Sequence, residues 1–182
     1  LKLTPEIMKR FDISSDTVSP NDLMLAILRA RADLLFVGGI GTYIKASKES
    51  HADVGDKSND AIRINGCELR AKVMGEGANL AITPKGRIEF AKNGGRLNAD
   101  FIDNSGGVDC SDHEVNTKIL MNAVMHNKAH AMDTKKRDKL LASMTDDVAF
   151  LVLRNNYQQS QAISLMQLQA PETLSEQAKL IL

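Results

Sequence analysis

Short apolar runs separated by polar turns indicate where strands begin and end in the first two thirds of the chain. Three of these runs predict buried strands: 33–37, 71–74 and 98–102. The first run stops at the glycine-rich stretch 38–41, the second enters the loop that carries Asn79, and the third leads to Asn104. Each predicted strand therefore ends at a residue type that permits a tight turn.

Helix starts are marked by Ser or Thr, followed by Pro or by an acidic residue. Such signals predict helices that begin near Thr4, Ser19, Thr83, Ser111 and Thr145. We expect Gly94-Gly95 to end the third of these helices in the left-handed conformation. Ser111 and Glu114 match a capping box for a long helix, and the basic residues 135–137 suit its C-terminal region.

The segment between the first two predicted strands shows neither helical nor strand periodicity at first. Residues 45–59 are mostly polar, which predicts an irregular surface loop. Apolar residues then flank Asn65-Gly66, a dipeptide that tolerates the positive φ of a two-residue hairpin turn. A short β-ribbon is therefore predicted at this point.

The order of these elements predicts the fold class. Parallel strands need a crossover connection, and a helix between successive strands supplies one. We therefore expect an α/β fold, a partial Rossmann-like parallel sheet flanked by helices, with a C-terminal helical extension. The sheet domain is expected to occupy residues 1–112 and the helical region residues 113–182. A complete dinucleotide domain has about twice as many strands, so we expect its N-terminal half to lie in a longer protein.

Composition and charge narrow the possible partners. Lys plus Arg and Asp plus Glu number 23 each among 182 residues, so no net charge favours binding to nucleic acid. No apolar run approaches the roughly 20 residues that cross a bilayer, and no signal peptide is recognisable, so we expect no membrane partner. The two cysteines, Cys67 and Cys110, suggest no disulfide framework, and we expect a cytoplasmic protein with reduced thiols.

Asn79 and Asn104 are the first candidate binding residues, because each follows a predicted strand. Ligands of open α/β sheets bind outside the carboxyl ends of the strands, so the two side chains can converge on one molecule. The alternative is that both are simple turn residues that tolerate left-handed geometry.

Two motifs that agree in order and spacing resemble one family. Gly75–Asn79 with Thr83-Pro84, followed by Asn104–Val108 and Ser111, resembles the cofactor domain of glutamate dehydrogenases. Three stretches look more specifically like the large bacterial NAD-specific glutamate dehydrogenases: 33–47, 51–70 and 104–114. The resemblance covers roughly residues 1–170.

The resemblance implies a role for NAD, which would bind in the 1–112 domain. Gly38, Gly39 and Gly41 would line its ribose at the end of the preceding strand. Asn79 would contact the ribose or nicotinamide side of the cofactor, and Asn104 would contact the nicotinamide amide. NAD rather than NADP is taken from the resemblance alone.

The same resemblance implies the substrate. Ser111 would donate a hydrogen bond to the distal carboxylate of L-glutamate, with Gly107 and Val108 shaping the wall beside it. The full-length enzyme would convert L-glutamate to 2-oxoglutarate and ammonium and would be a homo-oligomer. The runner-up functions are a dehydrogenase of another amino acid and a non-catalytic interaction or regulatory module that keeps part of the fold.

Several parts of the family pattern have no match in the sequence. By the same resemblance, the glycine-rich pyrophosphate turn, the catalytic lysine and the catalytic aspartate would belong to segments before residue 1. Gly39-Ile40-Gly41 lacks the third glycine of a dinucleotide fingerprint. We therefore assign no catalytic residue, and we expect the chain alone to be inactive.

Other candidate residues have a plainer structural explanation. Ser111 suits a helix N-cap, and Glu76 suits a solvated or backbone-bonded carboxylate better than a general base. His126 and His130 share a helix face, but no third ligand completes a metal site, so we predict none. Cys110 has no recognisable base beside it and suits a half-buried thiol.

Overall fold

The structure is a computed structural model that describes residues 1–127 and 132–181. The chain divides into two compact units, Leu1–Asn104 and Ser105–Leu182. The first unit mixes strands and helices, whereas the second is helical in its described parts. The predicted α/β class is confirmed, with parallel strand pairs that are consistent with a partial Rossmann-like fold.

Five α-helices form in the first unit: α1 (Pro5–Phe11), α2 (Pro20–Leu28), α3 (His51–Val54), α4 (Pro84–Lys92) and α5 (Asp100–Asp103). Helices α1, α2 and α4 begin as predicted, with Thr4, Ser19 and Thr83 as N-caps whose side chains accept backbone N–H groups. Gly94 follows α4 at φ +89°, which agrees with the predicted left-handed end.

Four short strands form two parallel pairs: β1 (Leu34–Val37) with β4 (Val73–Glu76), and β2 (Ile44–Lys45) with β3 (Ile64–Asn65). In the first pair Leu34 lies beside Val73, and Val37 lies beside Glu76. The first two predicted strands, 33–37 and 71–74, therefore exist and run parallel. Their carboxyl ends lie at one edge of the sheet.

The hydrophobic core of this unit is built from apolar side chains of its strands, of α4 and of the segments between them. Its largest fully buried apolar side chains are Ile44, Ile64, Met74, Ile82 and Phe90, each at most 1% exposed. Phe90 lies on α4, and Ile44 and Ile64 face each other across β2 and β3. Burial of these side chains holds α4 against the strands, since each adds roughly 1.5–3 kcal/mol.

Three local predictions in this unit were wrong. No strand forms at 98–102, where Asp100–Asp103 is a helical turn instead, and the third parallel segment is reduced to one bridge between Arg96 and Val73. Asn65-Gly66 makes no hairpin, because β3 pairs with β2 in parallel and Gly66–Glu68 forms a 3-10 turn. The predicted loop 45–59 contains α3 and part of a 3-10 helix, Lys57–Ile62.

The second unit contains three described helices: α6 (Ser105–His126), α7 (Thr134–Ser143) and α8 (Thr145–Ile181). Helix α6 packs against α8, where Asn155 Nδ2 donates to Asp109 Oδ2 at 2.9 Å and Asn156 Nδ2 donates to Ser105 Oγ at 2.9 Å. Among the helices within residues 1–127 and 132–181, none combines the length and apolar composition that a bilayer crossing requires.

Two predictions for the second unit were wrong. Helix α6 begins at Ser105, so Ser111 lies inside it rather than at its N-cap. The second compact unit begins at Ser105 together with α6, and the domain bounds 1–112 and 113–182 stay a prediction. The basic residues 135–137 occupy the first turn of α7, not the end of the preceding long helix. Helix α8 begins at Thr145 as predicted and continues through Pro171.

Candidate functional site

Two loops leave the sheet side by side at the carboxyl ends of β1 and β4. Gly38 follows Val37 and Gly77 follows Glu76, and Val37 and Glu76 are neighbours in the parallel register. The Ala78 N–H donates to the Val37 carbonyl at 3.0 Å, so the two loops are joined where they start. The predicted glycines and Asn79 therefore share the edge at which open α/β sheets bind ligands.

Asn79 and Asn104 meet at this edge, although Asn104 follows α5 and not the strand predicted at 98–102. The Asn104 Nδ2 donates to the Asn79 Oδ1 at 2.5 Å, although the residues are 25 positions apart. Asn79 is exposed and Asn104 is half-buried. Each amide keeps further donor or acceptor capacity after this bond, because a side-chain amide offers two N–H donors and a carbonyl oxygen. The pair can therefore bind a ligand that presents both kinds of group.

Asp100, the first residue of α5, accepts hydrogen bonds from the backbone near each of the two asparagines. Its Oδ2 accepts the Leu80 N–H at 2.8 Å, immediately after Asn79. Its backbone carbonyl accepts the Asn104 N–H at 2.8 Å. Asp100 is 8% exposed, and Leu80 is held at φ +55°, in the left-handed region that a leucine seldom adopts.

A buried ion cluster lies beneath Asp100. Arg87 Nη2 lies 3.1 Å from Asp100 Oδ1 and 2.9 Å from Glu76 Oε2, and Arg87 Nε donates to the same Glu76 oxygen at 2.9 Å. The other oxygen of Glu76 accepts the Ile82 N–H at 3.2 Å. Burial raises the pKa of Glu76 above its usual value, because its effect outweighs the lowering by Arg87 and by the Ile82 N–H. Glu76 is thus a buried, backbone-bonded carboxylate and not a solvated one.

The glycine loop after β1 is braced from behind by a buried arginine. The Arg63 side chain, 0% exposed, donates from Nε to the Thr42 carbonyl at 2.8 Å and from Nη1 to Asp60 Oδ1 at 2.5 Å. Gly41 lies at φ +112°, and a Cβ there would lie 2.5 Å from Asn59 Nδ2. Gly38 and Gly39 are exposed and have ordinary or open surroundings. Of the three glycines predicted to bind the cofactor, only Gly41 is therefore required as glycine by its own conformation and contacts.

The predicted substrate residues lie in the first two turns of α6, in the second unit. Gly107, Val108 and Ser111 are all exposed. The Ser111 hydroxyl donates to the Gly107 carbonyl at 3.2 Å, one turn back along the same helix. The hydroxyl oxygen keeps its lone pairs, and the proton can turn to another acceptor, since this internal helix bond is weak.

The other candidate residues give no second site. Within residues 1–127 and 132–181, no three His, Cys, Asp or Glu side chains are grouped to hold a metal ion. The His126 ring nitrogen Nδ1 lies 2.7 Å from the Asn122 carbonyl, and His130 lies outside the described residues. Cys110 is exposed, so the predicted half-buried thiol was wrong.

One cavity of about 630 Å³ lies away from the carboxyl ends of β1 and β4. Its lining includes Arg31, Asp33 and Lys72, which lie at the amino ends of β1 and β4. None of the residues predicted to bind cofactor or substrate lines it. The cavity therefore does not coincide with the candidate site, which is an open edge.

Sequence reasoning missed the residues that hold the site in place. Asp100, Arg87 and Arg63 were not singled out, because their partners lie 20, 11 and 21 positions away. Glu76 alone gave a signal, as a charged residue between two glycines. A charged side chain at the end of a buried strand is rarely tolerated without a buried partner of opposite charge. That rule could have predicted an arginine or lysine beside Glu76.

Comparison with known proteins gives one consistent result. Residues 1–166 match the family model described as bacterial NAD-glutamate dehydrogenase, catalytic domain. The chain is 56% identical over 181 residues to the NAD-specific glutamate dehydrogenase of Pseudomonas aeruginosa, covering 100% of the chain and 11% of that protein.

Two further relatives have the same description. The chain is 52% identical over 168 residues to the NAD-specific glutamate dehydrogenase of Halomonas elongata, covering 92% of the chain and 10% of that protein. It is 57% identical over 143 residues to that of Mycobacterium tuberculosis, covering 79% of the chain and 9% of that protein. The chain thus spans about a tenth of the length of the curated relatives it matches.

Proposed function

Since the chain belongs to the family of bacterial NAD-glutamate dehydrogenases, we propose that it contributes binding residues to an enzyme that oxidises L-glutamate with NAD⁺. The reaction converts L-glutamate, NAD⁺ and water to 2-oxoglutarate, ammonium, NADH and a proton. The nicotinamide, when bound, accepts the hydride from the α-carbon. The chain's own residues orient the two reactants, a contribution that is large when the reacting atoms must lie about 3–3.5 Å apart.

The Asn79–Asn104 pair is the observation that carries this proposal. The nicotinamide carboxamide presents one carbonyl acceptor and one NH₂ donor group, and side-chain amides match both. Asn104 is assigned to the carboxamide, and Asn79 to the ribose or nicotinamide side. Their mutual hydrogen bond fixes the two amides relative to each other before the cofactor arrives. The exposed Gly38 and Gly39 leave the backbone beside them open to a ribose.

The substrate residues complete the proposal. Ser111 donates to the distal carboxylate of glutamate, while Gly107 and Val108 form the apolar wall beside it. Its hydroxyl proton, bonded to the Gly107 carbonyl in the free chain, turns to the carboxylate. A hydrogen bond to a charged group is worth roughly 1.5–3 kcal/mol, so the exchange is favourable. A cytoplasmic location and a homo-oligomeric state remain predictions.

The cofactor assignment is tested by Asn79→Ala in the natural protein that carries this chain. Loss of one or two hydrogen bonds to the cofactor is expected to raise KM for NAD⁺ about tenfold. Asn93→Ala is the matched control, since Asn93 is an exposed asparagine at the end of α4. An unchanged KM for NAD⁺ in Asn79→Ala would remove this residue from the site.

The substrate assignment is tested by Ser111→Ala. We expect KM for L-glutamate to rise about tenfold, because the distal carboxylate loses a charge-assisted hydrogen bond. Ser164→Ala is the control, since Ser164 donates to the Ser160 carbonyl in the same way, inside α8. An unchanged KM for L-glutamate would remove the contact assigned between Ser111 and the distal carboxylate.

A further inference from the structure

We propose that Asp100 is a positioning residue. Through its hydrogen bonds to the backbone of Leu80 and Asn104, it sets the geometry in which the Asn79–Asn104 pair meets the cofactor. This inference rests on the proposed function. It assigns to Asp100 no contact with cofactor or substrate. Its effect on binding would pass through the two asparagines.

The contacts of Asp100 reach both segments that carry an asparagine. The side chain accepts the N–H of Leu80, which follows Asn79 directly, and the backbone carbonyl accepts the N–H of Asn104 itself. The remaining carboxylate oxygen accepts the Phe101 N–H at 3.0 Å, which fixes the carboxylate within α5. The side-chain bond thus links Leu80 to α5, 20 positions later in the chain, and Asn104 is the C-cap of the same α5.

The conformation of Leu80 explains why a strong acceptor is needed. A leucine at φ +55° is strained, and such a backbone persists only where the surrounding structure holds it. The carboxylate of Asp100 supplies a charge-assisted bond to the strained residue. Without that bond, the backbone after Asn79 can relax, and the Asn79 amide then turns away from Asn104.

The charge of Asp100 is itself held in place from below. Arg87 Nη2 lies between Asp100 and Glu76, at 3.1 Å and 2.9 Å from their oxygens. Glu76 accepts the Ile82 N–H, so the same cluster also holds the far end of the 77–83 loop. Asp100 and Glu76 therefore grip this loop at two points, with Asn79 on the exposed part before them.

Asp100→Asn tests the inference, because an amide is nearly the same size but cannot accept on both ends. We expect the dissociation constant for NADH, measured by fluorescence titration of the natural protein, to rise about tenfold. Amide hydrogen exchange of residues 77–82 in the cofactor-free protein should become faster. Glu68→Gln is the control, since Glu68 also accepts a backbone N–H, from Asn65, and pairs with Arg29.

A double-mutant cycle separates positioning from plain stabilisation. In an Asn79→Ala background, Asp100→Asn is expected to change the NADH dissociation constant less than about twofold, because the group through which it acts is absent. Thermal stability should fall by the same amount in both backgrounds. Equal losses of NADH affinity in the two backgrounds would overturn the inference.

The outcomes distinguish this inference from the function on which it rests. If Asn79→Ala weakens NADH binding and Asp100→Asn does not, the proposed function stands and the positioning role is wrong. If Asn79→Ala has no effect, the cofactor assignment itself fails. If the Asp100→Asn variant does not fold, Asp100→Glu replaces it in the same NADH titration, because it keeps the charge opposite Arg87. It should raise the dissociation constant at least about threefold, and wild-type affinity would overturn the inference.

Discussion

The strand-end edge of the first unit and the start of α6 in the second unit hold their candidate residues in different ways. Asn79 and Asn104 are fixed by bonds between residues 20 or more positions apart. Ser111 is bonded only to Gly107, one turn away in its own helix. The first geometry depends on tertiary folding, whereas the second follows once the helix forms. Substitutions near the edge should therefore cost far more stability than substitutions on α6.

Arg87→Met should give the largest effect. The change leaves Glu76 and Asp100 buried, close together and without their cation. Removing one partner of such a cluster costs about 3–5 kcal/mol, measurable by denaturant unfolding. Lys72→Met is the control, since the Lys72–Asp33 pair is exposed and its loss should change the unfolding free energy little. Equal effects of the two substitutions would show that burial of the Glu76–Arg87–Asp100 cluster adds nothing to its cost.

Glu89→Gln should have an intermediate effect that depends on pH. Partial burial raises the pKa of Glu89, but hydrogen bonds from Ser47 and Cys67 outweigh it and lower the pKa to about 2. A lowered carboxylate pKa stabilises the fold above the unfolded value of 4.5, and this stabilisation is lost as pH falls through about 2.

The measurement for Glu89 is denaturant unfolding at two pH values. At pH 7 the wild type should exceed Glu89→Gln by about 1–2 kcal/mol, allowing for contact of the carboxylate with solvent. Near pH 2.5 the difference should shrink, because the Glu89 carboxyl of the unfolded chain, with a pKa of 4.5, is protonated there and must lose its proton on folding. A difference that stays constant between the two pH values would mean that the charge of Glu89 does not matter.

Ser111→Ala should have the smallest effect on stability. The lost bond is internal to α6, and alanine has the higher helix propensity, so the unfolding free energy should change by no more than about 0.5 kcal/mol. The same variant is expected to change KM for glutamate, which would then reflect lost recognition and not unfolding. A loss of stability comparable with that of Arg87→Met would show that α6 is held by contacts of Ser111 after all.

Local signals predicted much of the fold. Thr4, Ser19 and Thr83 mark helix starts because capping needs only a side chain and a neighbouring N–H. The runs 33–37 and 71–74 predicted strands because both enter glycine turns. The rule that parallel strands end at one edge accounts for the place of Asn79 after β4, whereas Asn104 reaches the same edge from the helical turn α5.

The wrong predictions concern segments whose conformation depends on contacts with residues far away in the sequence. The segment 98–102 has the apolar pattern of a strand, but Asp100 accepts the Leu80 N–H and faces Arg87, and these contacts accompany a helical turn. Ser111 has the sequence of an N-cap, but α6 already starts at Ser105, which is bonded to Asn156 of α8. Spacing along the chain contains no information on such contacts.

A structure of the natural protein with NADH bound would test the cofactor site most directly. We expect the side-chain amides of Asn79 and Asn104 to lie within about 2.7–3.2 Å of the nicotinamide or its ribose, beyond the ends of β1 and β4. Their mutual contact and the Asp100 bond to Leu80 should persist. A nicotinamide bound at another edge, with both asparagines exposed to solvent, would contradict the assignment.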